Sequence, residues 1–521
     1  MNTLDALAIF LILLFSYMGS EAKVVVDSMF TDHLVLQRDM EVPVWGKADP
    51  GEAVTVEYLP SEGSKNRARK VEALTSDDGR WRVMLGPLST DSKGGRLIIM
   101  GDKTKGPSTE LKDVLVGEVW LGGGQSNMAY GTRHFTKYDP ELKKVCQSGP
   151  HPSLRVYVGN TWQIADAESV DDFSALLFSF GHALRQELDV PVGLMVGAVN
   201  GTPSGSWLTE EMAYDSPELV AMFKKNSGFE SFEAMAADWR EKMAKFKDEV
   251  SKADKKDRKR MRFSHPGQPM GRHFKKIECY VPYAIRGVLW DQGEGGTAIP
   301  GVDQHTVMKA LIAGWRKAWG LGDFPFLHVQ KPSGGGCAWE PSRLAGKKVP
   351  MPWEPLPTEA LPEDRKCAQN LQHIKMGTIR NAPLVTTSDL TPGVHPVHKY
   401  SYGKRACQVA LGAVYGRDVV TCGPTYKSHT MRGNEIEISF DHIGKGLAFR
   451  HGEKLQGFEI AGDDLKWAWA DAVIRGDKVI VSSAGIPKPQ HVRYAFNRTF
   501  PWATLFNKGG MPALTFTSPS Q

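Results

Sequence analysis

Cysteine is scarce in this chain. Six occur among 521 residues (Cys146, Cys279, Cys337, Cys367, Cys407 and Cys422), and no pair has the CxxC spacing of a thiolate metal site. That argues against a bound metal, while the even number is compatible with disulfides in an oxidising compartment, with the pairing open. Charge of one sign is also lacking: 64 Lys and Arg against 59 Asp and Glu leave +5. Such an excess is too small to argue for nucleic acid, and no nucleic-acid motif accompanies it, although it favours an anionic substrate through long-range attraction. No long apolar run offers a membrane span. The apolar stretch 6–15 (ALAIFLILLF) is too short to cross a bilayer, and Ser20-Glu21-Ala22 supplies small residues for a signal peptidase. Residues 1–22 therefore read as a signal peptide with the mature chain starting near Lys23, which implies a secreted, periplasmic or extracellular protein. Asp5 and the absence of Lys or Arg from that leader leave an uncleaved segment as the alternative.

What is present is ordinary for a globular protein, with 41% hydrophobic and 24% charged residues, and the length exceeds a single core. Residues 23–111 carry short β-type runs such as Arg80–Leu85 between Asp-Gly and Pro-Gly turns, which predicts a small β domain. Over 112–416, strand-like runs (Pro191–Val199, Ala284–Trp290, Pro325–Val329, Pro383–Thr387) alternate with helical stretches such as Val307–Trp319. This alternation predicts an α/β domain with a mostly parallel sheet. Residues 417–521 return to β-type runs (Glu435–Phe440, Lys478–Ser483), giving a second β domain.

Two insertions, about 214–275 and 332–362, interrupt the α/β part. In the first, Phe232, Met235, Trp239, Met243 and Phe246 fall at helical spacing, so Glu230–Val250 reads as an amphipathic helix with one packed stripe. The basic run Lys252–Arg262 after it reads as a solvated helix end, or alternatively as a lure for a polyanionic glycan. The second is rich in Pro and Gly and carries Trp339 and Trp353, either loop anchors or indole faces on which a sugar ring stacks. Asn497-Arg498-Thr499 forms a glycosylation sequon in a eukaryotic secretory route.

The chemistry concentrates at GQSNMAY, Gly124–Tyr130, which follows the strand-like run Val114–Leu121 and three glycines, Gly122, Gly123 and Gly124. A serine presented at a strand end has room for a base, a substrate and oxyanion donors, so Ser126 is the candidate nucleophile; a turn or helix cap is the plainer reading of the same string. Three further blocks follow in order: NGTPSGSW (Asn200–Trp207), WDQGEGGT (Trp290–Thr297) and GVHPVHK (Gly393–Lys399).

Together these blocks resemble those of the SGNH hydrolases, most closely the sialate O-acetylesterase family of carbohydrate esterases. The likeness extends to Met29–Val56, Val281–Glu294 and Gly423–Phe449. It implies an SGNH-type, flavodoxin-like α/β hydrolase domain flanked by β-sandwich-type domains, acting without a cofactor on an O-acetylated or otherwise esterified glycan. By that resemblance Ser126 attacks the ester, His395 of the HPxxK pattern takes its proton, and the amides of Ser126 and Gly201 hold the oxyanion, with Thr202 and Trp207 as frame residues. His398 is a bystander. Gln125, Asn127, Arg133, Gln292 and Trp339 are candidate substrate contacts, and Arg133 and His134 read equally as surface residues.

Two positions depart from the family pattern. Gly393 stands where the family carries an Asp two residues before the histidine, so the imidazole needs another acid. Glu294 is the first candidate, with Asp389 and Asp291 as alternatives. Gly296 stands where the family's QGExN block has an Asn that helps hold the oxyanion. The departures open two other readings: a hydrolase of a different ester, such as sulfate, on an anionic polysaccharide, and a glycan-binding protein without turnover.

Overall fold

A computed structural model describes residues 24–103, 108–331, 356, 365–391, 393–450, 453–496 and 503–518. The leader, the sequon, Trp339 and Trp353 lie outside the described residues. The element that organises the rest is one 16-residue strand, Thr109–Gly124, buried without interruption from Val114 onward. Its first half pairs antiparallel with Asp91–Gly101 and parallel with Val35–Gln37, inside the amino-terminal β layers. Its second half lies between the parallel strands Val192–Ala198 and Gly287–Asp291. The chain thus runs straight from the amino-terminal β structure into the centre of the α/β sheet.

That sheet has the order Thr161–Ala165, His151–Val158, Val192–Ala198, Thr109–Gly124, Gly287–Asp291, Phe326–Val329, Leu384–Val385. All neighbours are parallel except the first pair. Parallel strands buried on both faces read as continuous apolar runs, which is why Gly287–Asp291 and Phe326–Val329 are buried at every position. Helices cover both sides. On one face Ala175–Leu188 packs against Lys399–Ala413 around Leu177, Phe180, Tyr402 and Val409. On the other, Gln304–Trp319 packs Trp315 against Trp290 and Trp207. The observed strands and this helix fall within two or three residues of the runs read from the sequence.

The β parts are two-layered. At the amino end, the alternation of Ala53–Leu59 buries Val54, Val56 and Tyr58 against a second sheet of Val25–Val26, Pro43–Lys47 and Arg80–Met84. At the carboxyl end, Ile436, Ile438, Val479 and Val481 from one four-stranded sheet share a core with Phe458, Ile460, Val492 and Tyr494 from another. The architecture is a central α/β domain with a mostly parallel sheet and additional β-sandwich-type sheets.

In the first insertion the helix runs Phe232–Lys252, and its stripe is buried only at Phe232 and Met235 before rising toward solvent. Trp239 and Phe246 flank Phe263, and Arg272 lies over Trp239, so the aromatics pack locally. The basic run beyond is exposed around the short helix Lys255–Arg258. Among the described residues no helix is long and apolar enough to cross a membrane. Cys146, Cys279, Cys407 and Cys422 carry free thiols.

The three glycines ending the long strand are required by close approach. A Cβ on Gly122 would lie 2.7 Å from Met128 Sδ, and one on Gly123 would lie 2.9 Å from the Trp290 ring. Gly124 has φ +122°, and a Cβ there would overlap the Asp291 carbonyl oxygen. Gly124→Ala is therefore expected to cost about 2–5 kcal/mol of stability through combined backbone strain and overpacking, measured by urea denaturation of the two proteins.

Candidate active site

The carboxyl ends of adjacent parallel strands converge where the strand order reverses beside Gly124, the general location of ligand crevices in open α/β sheets. Ala198 and Asp291 are the register partners of Gly124 on its two sides. The Gln125 amide donates to the Asp291 carbonyl at 2.9 Å, and the Val199 amide to the Gly124 carbonyl at 3.1 Å. The chain then turns into the short helix Ser126–Ala129. Ser126 is thereby fixed at the sheet edge by backbone bonds rather than by its own side chain.

His395 comes from an exposed stretch, Gly393 to His395, directly ahead of the helix Lys399–Ala413. Its Nε2 lies 2.8 Å from Ser126 Oγ. The Tyr130 ring meets the imidazole edge-on at 5.0 Å and stacks on His134 on its other side. Partial desolvation, then the nearby Lys399 ammonium, lowers the His395 pKa below its ordinary value, against the opposing pull of Glu294 and Asp291. At neutral pH the ring is therefore neutral and able to accept a proton.

Two amides have no protein acceptor among the described residues, those of Ser126 and Gly201. Gly201 has φ +69° with nothing within 4 Å of where a Cβ would stand, so its turn borders open space. The turn is framed from behind: Trp207 Nε1 donates to Thr202 Oγ1 at 3.0 Å, and that hydroxyl donates to the Val199 carbonyl at 2.8 Å. Gly296 also has a positive φ, +63°, with open space at its Cβ position.

The acids assigned to His395 from sequence are engaged elsewhere. Asp389 forms a two-pronged pair with Arg405 at 2.9 and 2.8 Å. Lys331 Nζ lies 2.5 Å from Asp291 Oδ1 and 2.9 Å from Glu294 Oε1. Among the described residues no carboxylate is hydrogen-bonded to the His395 ring. The reason is electrostatic: a buried carboxylate is held by the nearest buried cation, and Lys331, 0% exposed, sits between Asp291 and Glu294. Burial works against the Lys331 ammonium, but Asp291 and Glu294 more than offset it and raise its pKa. Burial likewise works against the Glu294 charge, and Lys331 outweighs it, so that carboxyl is lowered. Glu294 therefore acts on His395 through space and not as a hydrogen-bonded partner.

Three of the expected substrate contacts are built into the frame. Gln125 Oε1 accepts from the Gly295 amide at 3.1 Å. Gln292 Nε2 donates to the Gly296 carbonyl at 3.0 Å, and its Oε1 accepts from Gln304. Asn127 Nδ2 donates to the Val394 carbonyl at 2.9 Å and to Glu294 Oε1 at 3.2 Å, while its Oδ1 accepts from Lys399 Nζ at 2.6 Å. All three side chains are buried, so their polar atoms hold loops together instead of reaching the cleft. Arg133 is exposed and pairs with Asp172 at 2.7 Å, the surface role. Trp339 lies outside the described residues.

Lys331 escaped the sequence reading. Its signal was present, a lysine two residues past a fully buried parallel strand, Phe326–Val329, where a site-facing residue is expected. Lys399 was visible only as part of the HPxxK string. It is 1% exposed. Burial, then the Lys331 charge among its neighbours, brings its pKa down to about 7.

Residues 116–236 match the family described as carbohydrate esterase, sialic acid-specific acetylesterase. The chain is 26% identical over 350 residues to the rat sialate O-acetylesterase, covering 59% of this chain and 60% of the relative. It is 26% identical over 205 residues to the human one, covering 34% and 38%. The chain thus spans at most about 60% of the length of these relatives. A carbohydrate acetylesterase from Xanthomonas citri has the same fold, with a TM-score of 0.71 and 24% identity over 96% of this chain and 100% of that one.

Removing the cation from the buried cluster isolates two carboxylates. Lys331→Met is expected to cost about 3–5 kcal/mol at neutral pH. Without the ammonium both carboxyl pKa values rise in the folded state, so the loss shrinks as the pH falls and they protonate. Chemical denaturation across pH 5–8 measures both effects.

Proposed function

We propose, for a chain that carries a domain of the sialic acid-specific acetylesterase family of carbohydrate esterases, that it removes O-acetyl groups from sialic acid or another glycan by Ser126–His395 nucleophilic catalysis. The reading rests on one observation, the 2.8 Å contact between Ser126 Oγ and His395 Nε2 at the carboxyl edge of the sheet. A neutral imidazole in that position takes the serine proton as Oγ bonds to the acetyl carbon. The carbonyl oxygen gains the negative charge and is received by the Ser126 and Gly201 amides. As the tetrahedral intermediate collapses, the bond from acetyl carbon to sugar oxygen breaks and Nε2 returns its proton to that oxygen. Water then repeats the cycle: His395 takes its proton, its oxygen attacks the acetyl-serine, and acetate leaves as Ser126 Oγ regains a proton.

Release outside the cytosol belongs to the same proposal, supported by the leader read from the sequence. The sulfate reading asks for cations turned toward the serine. The nearby Lys331, Lys399 and Arg133 are instead committed to Asp291 and Glu294, to Asn127, and to Asp172. Acetyl esters are therefore preferred.

Purified protein is expected to release acetate from 4-nitrophenyl acetate and from acetylated glycans. Ser126→Ala is expected to reduce that rate at least about 1,000-fold. kcat/KM should stay level above neutrality and fall in acid with an inflection below about 6.5, because protonation of His395 removes the base and its pKa is lowered. Sulfate release in place of acetate, or equal rates for wild type and Ser126→Ala, contradicts the proposal.

A further inference from the structure

An imidazole that serves as base has to keep Nε2 turned to the serine, and a carboxylate on Nδ1 is the usual means. Here the ring has no such bond among the described residues. Nor is the expected position open to an acid: Gly393 has φ +119°, a conformation in which an L side chain is strained. His395 also sits on an exposed stretch, with Val394 55% exposed, and beyond the buried Pro396 and the edge-on Tyr130 ring little packs against it. Something else must limit its motion for the 2.8 Å contact to persist.

We propose that Asn127 is a positioning residue for His395, a clasp between the nucleophile's turn and the histidine's segment that does the orienting work of the missing acid. The proposal rests on the Ser126–His395 reading above. Asn127 is the residue after the nucleophile and Val394 the residue before the base, and the Asn127 Nδ2 to Val394 carbonyl bond of 2.9 Å ties them directly. On the far side of His395, the Lys399 Nζ to Asn127 Oδ1 bond of 2.6 Å ties the start of the following helix to the same side chain. One amide therefore grips the histidine's segment on both flanks and fastens it to the turn that carries Ser126.

The amide's orientation is determined by its partners. An ammonium demands an acceptor, whereas a carbonyl and a carboxylate demand donors, so oxygen faces Lys399 and nitrogen faces Val394 and Glu294. Glu294 is in turn held by Lys331 at 2.9 Å, and Lys331 by Asp291. The acid cluster thus steers the base indirectly, through Asn127 and the backbone. Lys399 is enclosed by rings, its Nζ 4.9 Å from the Phe135 centroid and 5.7 Å from that of Tyr402, and cannot reach a substrate. Burial at 1% exposure, with both Nδ2 hydrogens donated and Oδ1 accepting from Lys399, also removes Asn127 from direct substrate contact.

The test is a double-mutant cycle in the full chain with 4-nitrophenyl acetate. Asn127→Ala and the nearly isosteric Asn127→Asp, which keeps an acceptor for Lys399 but loses the donor to Val394, are each combined with His395→Ala. Ser126→Ala is the control, and thermal denaturation checks folding. The expected result is a fall in kcat of about 100-fold or more for both Asn127 variants, with KM within about threefold of wild type. In the His395→Ala background the same substitutions are expected to change the residual rate less than about twofold, because a residue that acts through the imidazole has nothing left to position. Losses that multiply in the double variants, or Asn127→Asp at wild-type kcat, overturn the clasp. Should Asn127→Ala fail to fold, Asn127→Asp decides alone. If wild type and Ser126→Ala hydrolyse the ester equally, the serine reading itself fails and the clasp falls with it; a Ser126-dependent rate with indifferent Asn127 variants sinks the clasp only.

Discussion

One buried ammonium holds the site together. Lys331 lies between Asp291, which ends a central parallel strand, and Glu294, three residues on in the loop that follows it. Without that cation two carboxylates would stand close together out of water, each favouring neutralisation of the other. With it, the carbonyl of Asp291 can receive the amide of Gln125, and Glu294 can receive the side chain of Asn127. The backbone turn that carries Ser126 and the side chain that reaches the histidine's segment therefore both lean on residues that Lys331 pairs with and holds in place. A buried ion cluster is poor currency for stability, since its desolvation offsets much of its attraction. Its value here is in fixing loops that would otherwise have little to hold them.

The long strand supplies the second constraint. Because Thr109–Gly124 belongs to the amino-terminal β layers at one end and to the α/β sheet at the other, the serine that follows it is referenced to both. Glu118, buried midway, pairs with Arg38 at 2.6 Å and Arg286 at 2.8 Å, joining segments far apart in sequence to the same strand. Small residues at the strand's end let the helix Ser126–Ala129 and the Trp290 ring approach the backbone closely. Placement of the serine is thus a property of the sheet as a whole and not of its local turn.

Much of this was legible in the sequence for identifiable reasons. Continuous apolar runs mark buried parallel strands, alternation marks the β layers, and the spacing of Phe232 to Phe246 marks the inserted helix. Ser126 and His395 stand out as a candidate pair because their flanking strings are distinctive, and the fold places them 2.8 Å apart. The fate of the acids was not. Glu294 stands first on paper, with Asp389 and Asp291 as alternatives, and only the fold reveals that Arg405 and Lys331 claim them. Gln125, Asn127 and Gln292 were read as ligands because polar side chains beside a nucleophile often are. In the fold they satisfy loop amides and carbonyls, a demand that depends on three-dimensional neighbours and leaves no local pattern. Gly393 marked a missing carboxylate, but what holds the ring in its absence depends on contacts between residues more than 260 positions apart.

The account stands on a covalent step at one atom. The most direct measurement is rapid quenching of the protein during turnover of an acetylated glycan, followed by mass spectrometry of its peptides. The account predicts an acetyl group on Ser126, in the peptide containing Gly124–Tyr130, that decays as acetate appears. Steady acetate release with that peptide never modified, or with the acetyl group on another residue, would contradict it.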